Sequence, residues 1–334
     1  MSYLVLNITI MKWKLTILLV IASLRLTAQS NCDCFNRLYN LSNVYSSSDD
    51  WPMVVSALKD GLTFLDKEQA GDFYYELAGD YAHLNADSAA LYFTKAIERG
   101  YPANWIKGSY PDIYKKMDSD KINQYTLTNR SKINFDVYDK FVRTLAIDQS
   151  VRDGTLFPEN EIFHGTPEKR AFIDTLSLRV DSATFEFTMW VLNNYGFPSE
   201  HELGFYPSGF LGLLLHITAQ DNDHSKAVLQ KLDELNAACK FPQKSTILFL
   251  EDRQKLYVTG KGYCGVAGYN RYAAIEDITK ADSIRLANNQ VRLQDEVFRS
   301  DSISVKNRTM LYNKGYKPKP YPKNYFCLKK YHLD

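Results

Sequence analysis

The sequence predicts an all-α protein, and three observations carry that expectation. Apolar residues recur at three- and four-residue spacing along most of the chain, no run of alternating apolar and polar residues rivals them, and short polar turns separate the periodic stretches. At 334 residues the chain is long enough for two modest domains. Its 45% hydrophobic and 24% charged content is that of an ordinary globular protein, so a packed core is expected. A formal net charge of +1 excludes long-range attraction to nucleic acid or to anionic lipid.

The chain opens with signal-peptide chemistry over residues 1–28. Met11-Lys-Trp-Lys is a basic start, Leu15 to Leu24 is apolar, and Ala28 is a small residue at a cleavage position. Met11 reads as the true start, and the periplasm or the cell exterior as the destination. The apolar stretch is shorter than the roughly 20 residues of a membrane span, and Lys12 and Lys14 interrupt a longer helix from Tyr3 to Leu24. No stable span is therefore expected after cleavage, an uncleaved anchor being the alternative. An oxidising compartment permits disulfides among Cys32, Cys34, Cys239, Cys264 and Cys327, an odd set that leaves at least one cysteine over. Cys32-Asp-Cys34 has no second such pair and no histidine nearby, which favours terminal cysteines tying the ends to the body over metal or redox chemistry.

Residues 31–130 form a first helical region. Trp51 to Leu65 has Trp51, Val54, Val55, Leu58, Leu62 and Leu65 at helical spacing, Asp49 or Asp50 as cap and Pro52 in the first turn, where its missing N–H costs nothing. Asp72 to Leu84 turns Phe73, Leu77, Ala78 and Tyr81 inward. Asp87 to Arg99 does the same with Ala89, Phe93, Ala96 and Ile97, and an Asn85-Ala86 turn separates the two. Through Ala78 and Tyr81, then Ala89, Phe93 and Ala96, this pair resembles a tetratricopeptide repeat with a turn about one residue short. The resemblance implies a unit that cannot bury its own face and must stack on neighbours or on a partner. A short helix from Pro111 to Met117 and a polar stretch to Arg130 complete the region.

Residues 131–312 form the main helical domain. Ile133 to Val151 predicts an amphipathic helix with Phe135, Tyr138, Phe141, Val142, Leu145 and Val151 as its stripe, and Asp148 and Arg152 lie on the side of Phe141 and Leu145. A Pro- and Gly-containing loop (157–167) bears His164. A helix from Glu168 to Tyr195 follows, with Phe172, Leu176, Val180, Phe185, Met189 and Leu192 inward, ended by Gly196 and Pro198. Phe210 to Ala219 is apolar except for His216, which marks a central helix. Ala227–Ala238, Ser245–Tyr257, Ile275–Phe298 and Asp301–Tyr312 are further helices. The tail, residues 313–334, is basic and rich in proline and tyrosine, which favours an extended course over the body.

Asp148-Gln149 with Arg152, Gly196-Phe197-Pro198, Leu215-His216 and Leu250 with Asp252-Arg253 together resemble a family of uncharacterised bacterial proteins sharing D-Q-x-x-R, G-[WF]-P, a histidine after an apolar run and L-x-D-R. A weaker echo stands at Asp282-Ser-Ile-Arg285. Leu215 occupies a position where glutamine is usual, and Gly260-Lys-Gly-Tyr-Cys-Gly265 lacks the glutamine of the family's turn. The resemblance implies positions and no activity.

Those positions are the candidate site: Asp148, Arg152, His216, Asp252 and Arg253. Two carboxylates, two guanidiniums and an imidazole are an adequate set for acid–base work with an anion clamp. They are equally what a buried network needs, since buried charges must be paired. Asp148 and Arg152, four apart on one helix, are a possible ion pair, and between helices the pairs expected are Asp148 with Arg253 or Asp252 with Arg152. No nucleophile elbow, phosphate loop or dinucleotide fingerprint is present, nor a metal-ligand spacing, so neither cofactor nor metal is expected. The sequence thus places first a non-enzymatic interaction or structural module with an envelope protein partner. A small-ligand-binding or hydrolytic domain built on the cluster is the alternative, and a cell-wall polysaccharide binder is a third.

Overall fold

The computed structural model describes residues 31–65, 71–152, 166–198, 208–241, 243–262, 275–293, 295, 311–328 and 330–331. The expected leader, the 157–167 loop as far as residue 165 and residues 301–310 lie outside that set, as does the side chain of Arg152. Within it the fold is all-α, with one isolated bridge between Gly262 and Ile275. Among the described residues no helix is long and apolar enough to cross a membrane.

The first helix, α1 (31–46), went unread in the sequence because two cysteines and four asparagines interrupt its pattern. It buries Phe35, Leu38, Leu41, Val44 and Tyr45. The turn after it ends at Asp50, whose side chain caps α2 (Trp51–Gly61) by accepting from the Met53 N–H; Pro52 sits in the first turn, and a 3-10 turn (Leu62–Phe64) follows. Next come α3 (Gly71–Ala82) and α4 (Ala86–Glu98), packed as an antiparallel hairpin. Asn85 caps α4 by accepting from the N–H groups of Asp87 and Ser88. Gly100, at φ 102°, ends it, with Tyr101 N–H bonded to Ala96 O and Gly100 N–H to Ile97 O. Three short helices, α5 (Ala103–Ser109), α6 (Pro111–Tyr114) and α7 (Ser119–Arg130), close one core around Leu58, Leu77, Phe93, Ile97 and Ile106.

A second core is built by α8 (Phe135–Arg152), α9 (Pro167–Asn194), α10 (Ser208–Ile217), α11 (Asp223–Ala237) and α12 (Lys244–Thr259). The stripe of α8 differs from expectation. Phe135 and Val142 are exposed, and Val137, Phe141, Asp148 and Val151 are buried, because α8 faces its neighbours along the Phe141 line alone. On α9 the expected Phe172 is exposed while Ile173, Val180, Thr184, Thr188 and Val191 are buried. The long helix expected from Ile275 to Phe298 is replaced by α13 (Ala281–Ala287), which Asn289 stops at φ 60° with Gln290 N–H bonded to Arg285 O.

The tail folds back across α1. Cys327 is disulfide-bonded to Cys34, and Tyr325, Phe326 and Tyr331 are buried among Leu38, Leu41, Val54 and Ala57. Asp282, on α13, accepts from Leu293 N–H, Tyr316 hydroxyl and Lys319 N–H, so the carboxylate of the D-x-x-R echo anchors the approach of the tail.

Candidate functional site

The apolar helix α10 lies against α8 because position 209 is glycine. A Cβ there would stand 2.8 Å from Leu145 and 3.0 Å from Phe141. Further along both helices the Asp148 carboxylate meets the His216 ring, Oδ2 to Nδ1, at 2.6 Å. The two contacts follow the same order along both helices, so α8 and α10 run in the same direction at this seam. Asp148 is fully buried and the His216 side chain is 25% exposed, so the pair is rooted in the core with the ring reaching solvent. The Gln149 side-chain amide also donates to Asp148 Oδ2, at 3.0 Å.

The remaining candidates divide. Arg253, half-buried on α12, donates to the Leu215 carbonyl at 2.6 Å and stacks over the Tyr257 ring at 4.6 Å. It therefore braces the peptide next to His216, and the expected Asp148–Arg253 pair is not formed: the imidazole takes the place assigned to the guanidinium. Asp252 is buried and turns the other way, its Oδ1 lying 2.8 Å from where a Cβ on Gly262 would be. Neighbours on a helix point about 100° apart, which is why Asp252 and Arg253 serve different surroundings. The expected Asp252–Arg152 pair lies outside the described residues because the Arg152 side chain does.

Chemically, an ionised aspartate on Nδ1 orients the ring and holds a proton on that nitrogen, leaving the Nε2 lone pair to accept one. The adjoining Arg253 guanidinium supplies positive charge beside the same turn of α10. Among the described residues no group of three or more His, Cys, Asp or Glu is placed to hold a metal ion.

A second polar site escaped the sequence reading. A cleft of about 290 Å³ between α1, α2 and α3 is lined by Trp51, Tyr75, Glu76, Asp80, His83 and Tyr110. Trp51 and His83 stack face to face at 3.7 Å. Glu76 accepts from the Tyr39 hydroxyl at 3.2 Å. Burial pushes the Glu76 carboxyl up to about 7, nearby Asp80 adding to the shift and Tyr39 opposing it. Burial likewise raises Asp80 to about 6. Gly79 leaves room for the Tyr110 hydroxyl, 2.9 Å from its absent Cβ. The signal that would have found this site is two carboxylates four apart on one helix, an arrangement that is repulsive unless something cationic answers it.

No family model, curated protein or solved structure matches the chain.

Proposed function

We propose that this is an exported helical protein that binds a small ligand at His216, the ligand giving a hydrogen bond or a proton to Nε2 and turning an anionic group towards Arg253. The single observation that carries the reading is the 2.6 Å contact between buried Asp148 and the partly exposed imidazole. A structural network would be expected to seal the ring and satisfy both nitrogens, whereas here one nitrogen is held and the ring remains reachable. That geometry lifts the ligand reading above the protein-contact reading that the sequence placed first. Export is supported by the residues of the leader and by a disulfide between Cys34 and Cys327, a bond characteristic of oxidising compartments.

The test is ligand-observed NMR with a fragment library of small carboxylates and phosphates, together with chromogenic ester and phosphoester substrates, on wild type, Asp148→Asn and His216→Gln. At least one compound should bind or turn over, with a loss of tenfold or more in both variants while the circular dichroism spectrum is retained. Hits that are indifferent to both substitutions, or no hits, overturn the reading.

A second reading, contact with an envelope protein through the tetratricopeptide-like α3–α4 hairpin, is favoured by the aromatic and acidic cleft beside it. Its carboxylates and ring faces suit a lysine or arginine side chain of the partner. A fluorescent oligolysine peptide should then bind wild type and lose affinity in Glu76→Gln/Asp80→Asn. Equal affinity for both proteins would remove this reading without touching the first.

A further inference from the structure

The two cysteines of the Cys32-Asp-Cys34 run leave α1 in different directions. Cys34 reaches the tail and is bonded to Cys327. Cys32 is a fully buried free thiol whose pKa is raised by the neighbouring side chain of Cys239, itself a free thiol half-buried in the turn between α11 and α12. One further bond holds the same elements together, and a second, within α1, ties it to Cys32. Asn36, one turn along α1, accepts from the Lys244 N–H at 2.9 Å and donates to the Cys32 carbonyl at 2.8 Å.

The backbone at Cys239 is the independent observation. Helix α11 ends with Lys240 N–H bonded to Leu235 O and Cys239 N–H to Asn236 O, and Cys239 itself is left-handed at φ 53°. That closing position favours glycine, with asparagine next, because a Cβ is strained there. The same turn after α1, after α4, after α13 and after residues 311–313 uses Asp49, Gly100, Asn289 and Gly315, glycine or the short polar residues that tolerate this backbone. Cysteine at the remaining one of these five positions accepts strain that glycine would avoid, which points to a use for its side chain. Cys327, which is disulfide-bonded, has the same kind of backbone at φ 61°.

We propose that Cys32 and Cys239 form a second disulfide, so that one turn of α1 is bonded on one side to the tail and on the other to the α11–α12 turn. In the reaction the Cys239 thiolate attacks a disulfide oxidant of the glutathione type, forming a mixed disulfide and releasing one thiolate. Cys32 then attacks the Cys239 sulfur and releases the second. Two protein thiols become one S–S bond, and the oxidant gains both electrons and both protons as two thiols. The adjoining Cys239 thiol and burial hold the Cys32 pKa well above the usual range, so thiolate is scarce in the folded reduced chain. The bond therefore closes during oxidative folding more readily than afterwards.

Protein folded in the presence of oxidised and reduced glutathione is unfolded in guanidinium with iodoacetamide and no reductant, then cleaved with trypsin and at Asp33, which separates Cys32 from Cys34. Mass spectrometry should find two linked pairs, Cys34–Cys327 and Cys32–Cys239, both lost on reduction. Carbamidomethyl on both Cys32 and Cys239 while Cys34–Cys327 is intact overturns the proposal, and so does Cys32 linked to any other cysteine. As a second measurement, a Cys34→Ala/Cys327→Ala chain made the same way should lower its urea midpoint on reduction. If that chain does not fold, the peptide map alone decides.

Discussion

At the residue scale, burial decides what a polar side chain does. Asp148 could be placed on the Phe141 side of its helix from spacing alone, but one of its partners is a histidine 68 residues away that spacing cannot select. Glu76 makes the point quantitatively. Its carboxyl titrates at about 7 in the folded chain against 4.5 in an unperturbed one. Below the lower value both states are protonated and the group is neutral to stability. Between the two values the folded chain holds a proton that the unfolded chain has lost, so stability falls as pH rises, and above the upper value the loss is complete. Glu76→Gln should therefore flatten the profile and, at pH 8, exceed wild type by on the order of 2 kcal/mol. Urea midpoints at pH 5 and pH 8 test it; a variant less stable than wild type at pH 8 would show that the Tyr39 hydrogen bond outweighs the desolvation.

At the element scale, the α3–α4 hairpin ranks its aromatics by depth. Phe93 is fully buried and faces Tyr75 and Tyr110 at centroid distances of 5.6 Å and 4.8 Å. Tyr81 is half-buried and stacks on Tyr92 at 5.0 Å. Helical spacing alone treats the two alike. With the depths in hand, Phe93→Ala should cost about 3–5 kcal/mol, as large core truncations do. Tyr81→Ala should cost only about 1–2 kcal/mol, chiefly the ring pair and partial burial. Equal losses in chemical denaturation would contradict that difference. On α9 the inward line of the first half of the helix runs through Ile173 and Val180, and Phe172 is exposed.

At the scale of the whole molecule, α1 is the hub. It packs on α2, its Asn36 bonds the start of α12, its Arg37 and Asn40 bond Asn289, and Arg37 lies over the Tyr325 ring at 4.7 Å. The Cys34–Cys327 bond closes residues 293 apart in sequence, so it removes a large loop entropy from the unfolded chain. Cys34→Ala/Cys327→Ala should lower the unfolding free energy by roughly 3–5 kcal/mol. An unchanged urea midpoint would mean that Asp282, Tyr325 and Tyr331 hold the tail without the bond.

What the sequence determined by itself is what is local. The helical class follows from period, the ends of α2 and α4 from Asp50, Pro52, Asn85 and Gly100, and the polar lodgers His216 and Asp148 from their apolar surroundings, because each signal acts within a turn or two of chain. Tertiary structure decided the partners. Asp148 meets His216 instead of Arg253 because Gly209 lets α10 approach α8 in parallel register, and Arg253 goes to the Leu215 carbonyl because its neighbour Asp252 must point elsewhere. The aromatic and acidic cleft was hidden for the same reason: its walls come from α1, α2, α3 and Tyr110, and the burial that raises Glu76 and Asp80 exists only once those segments are packed.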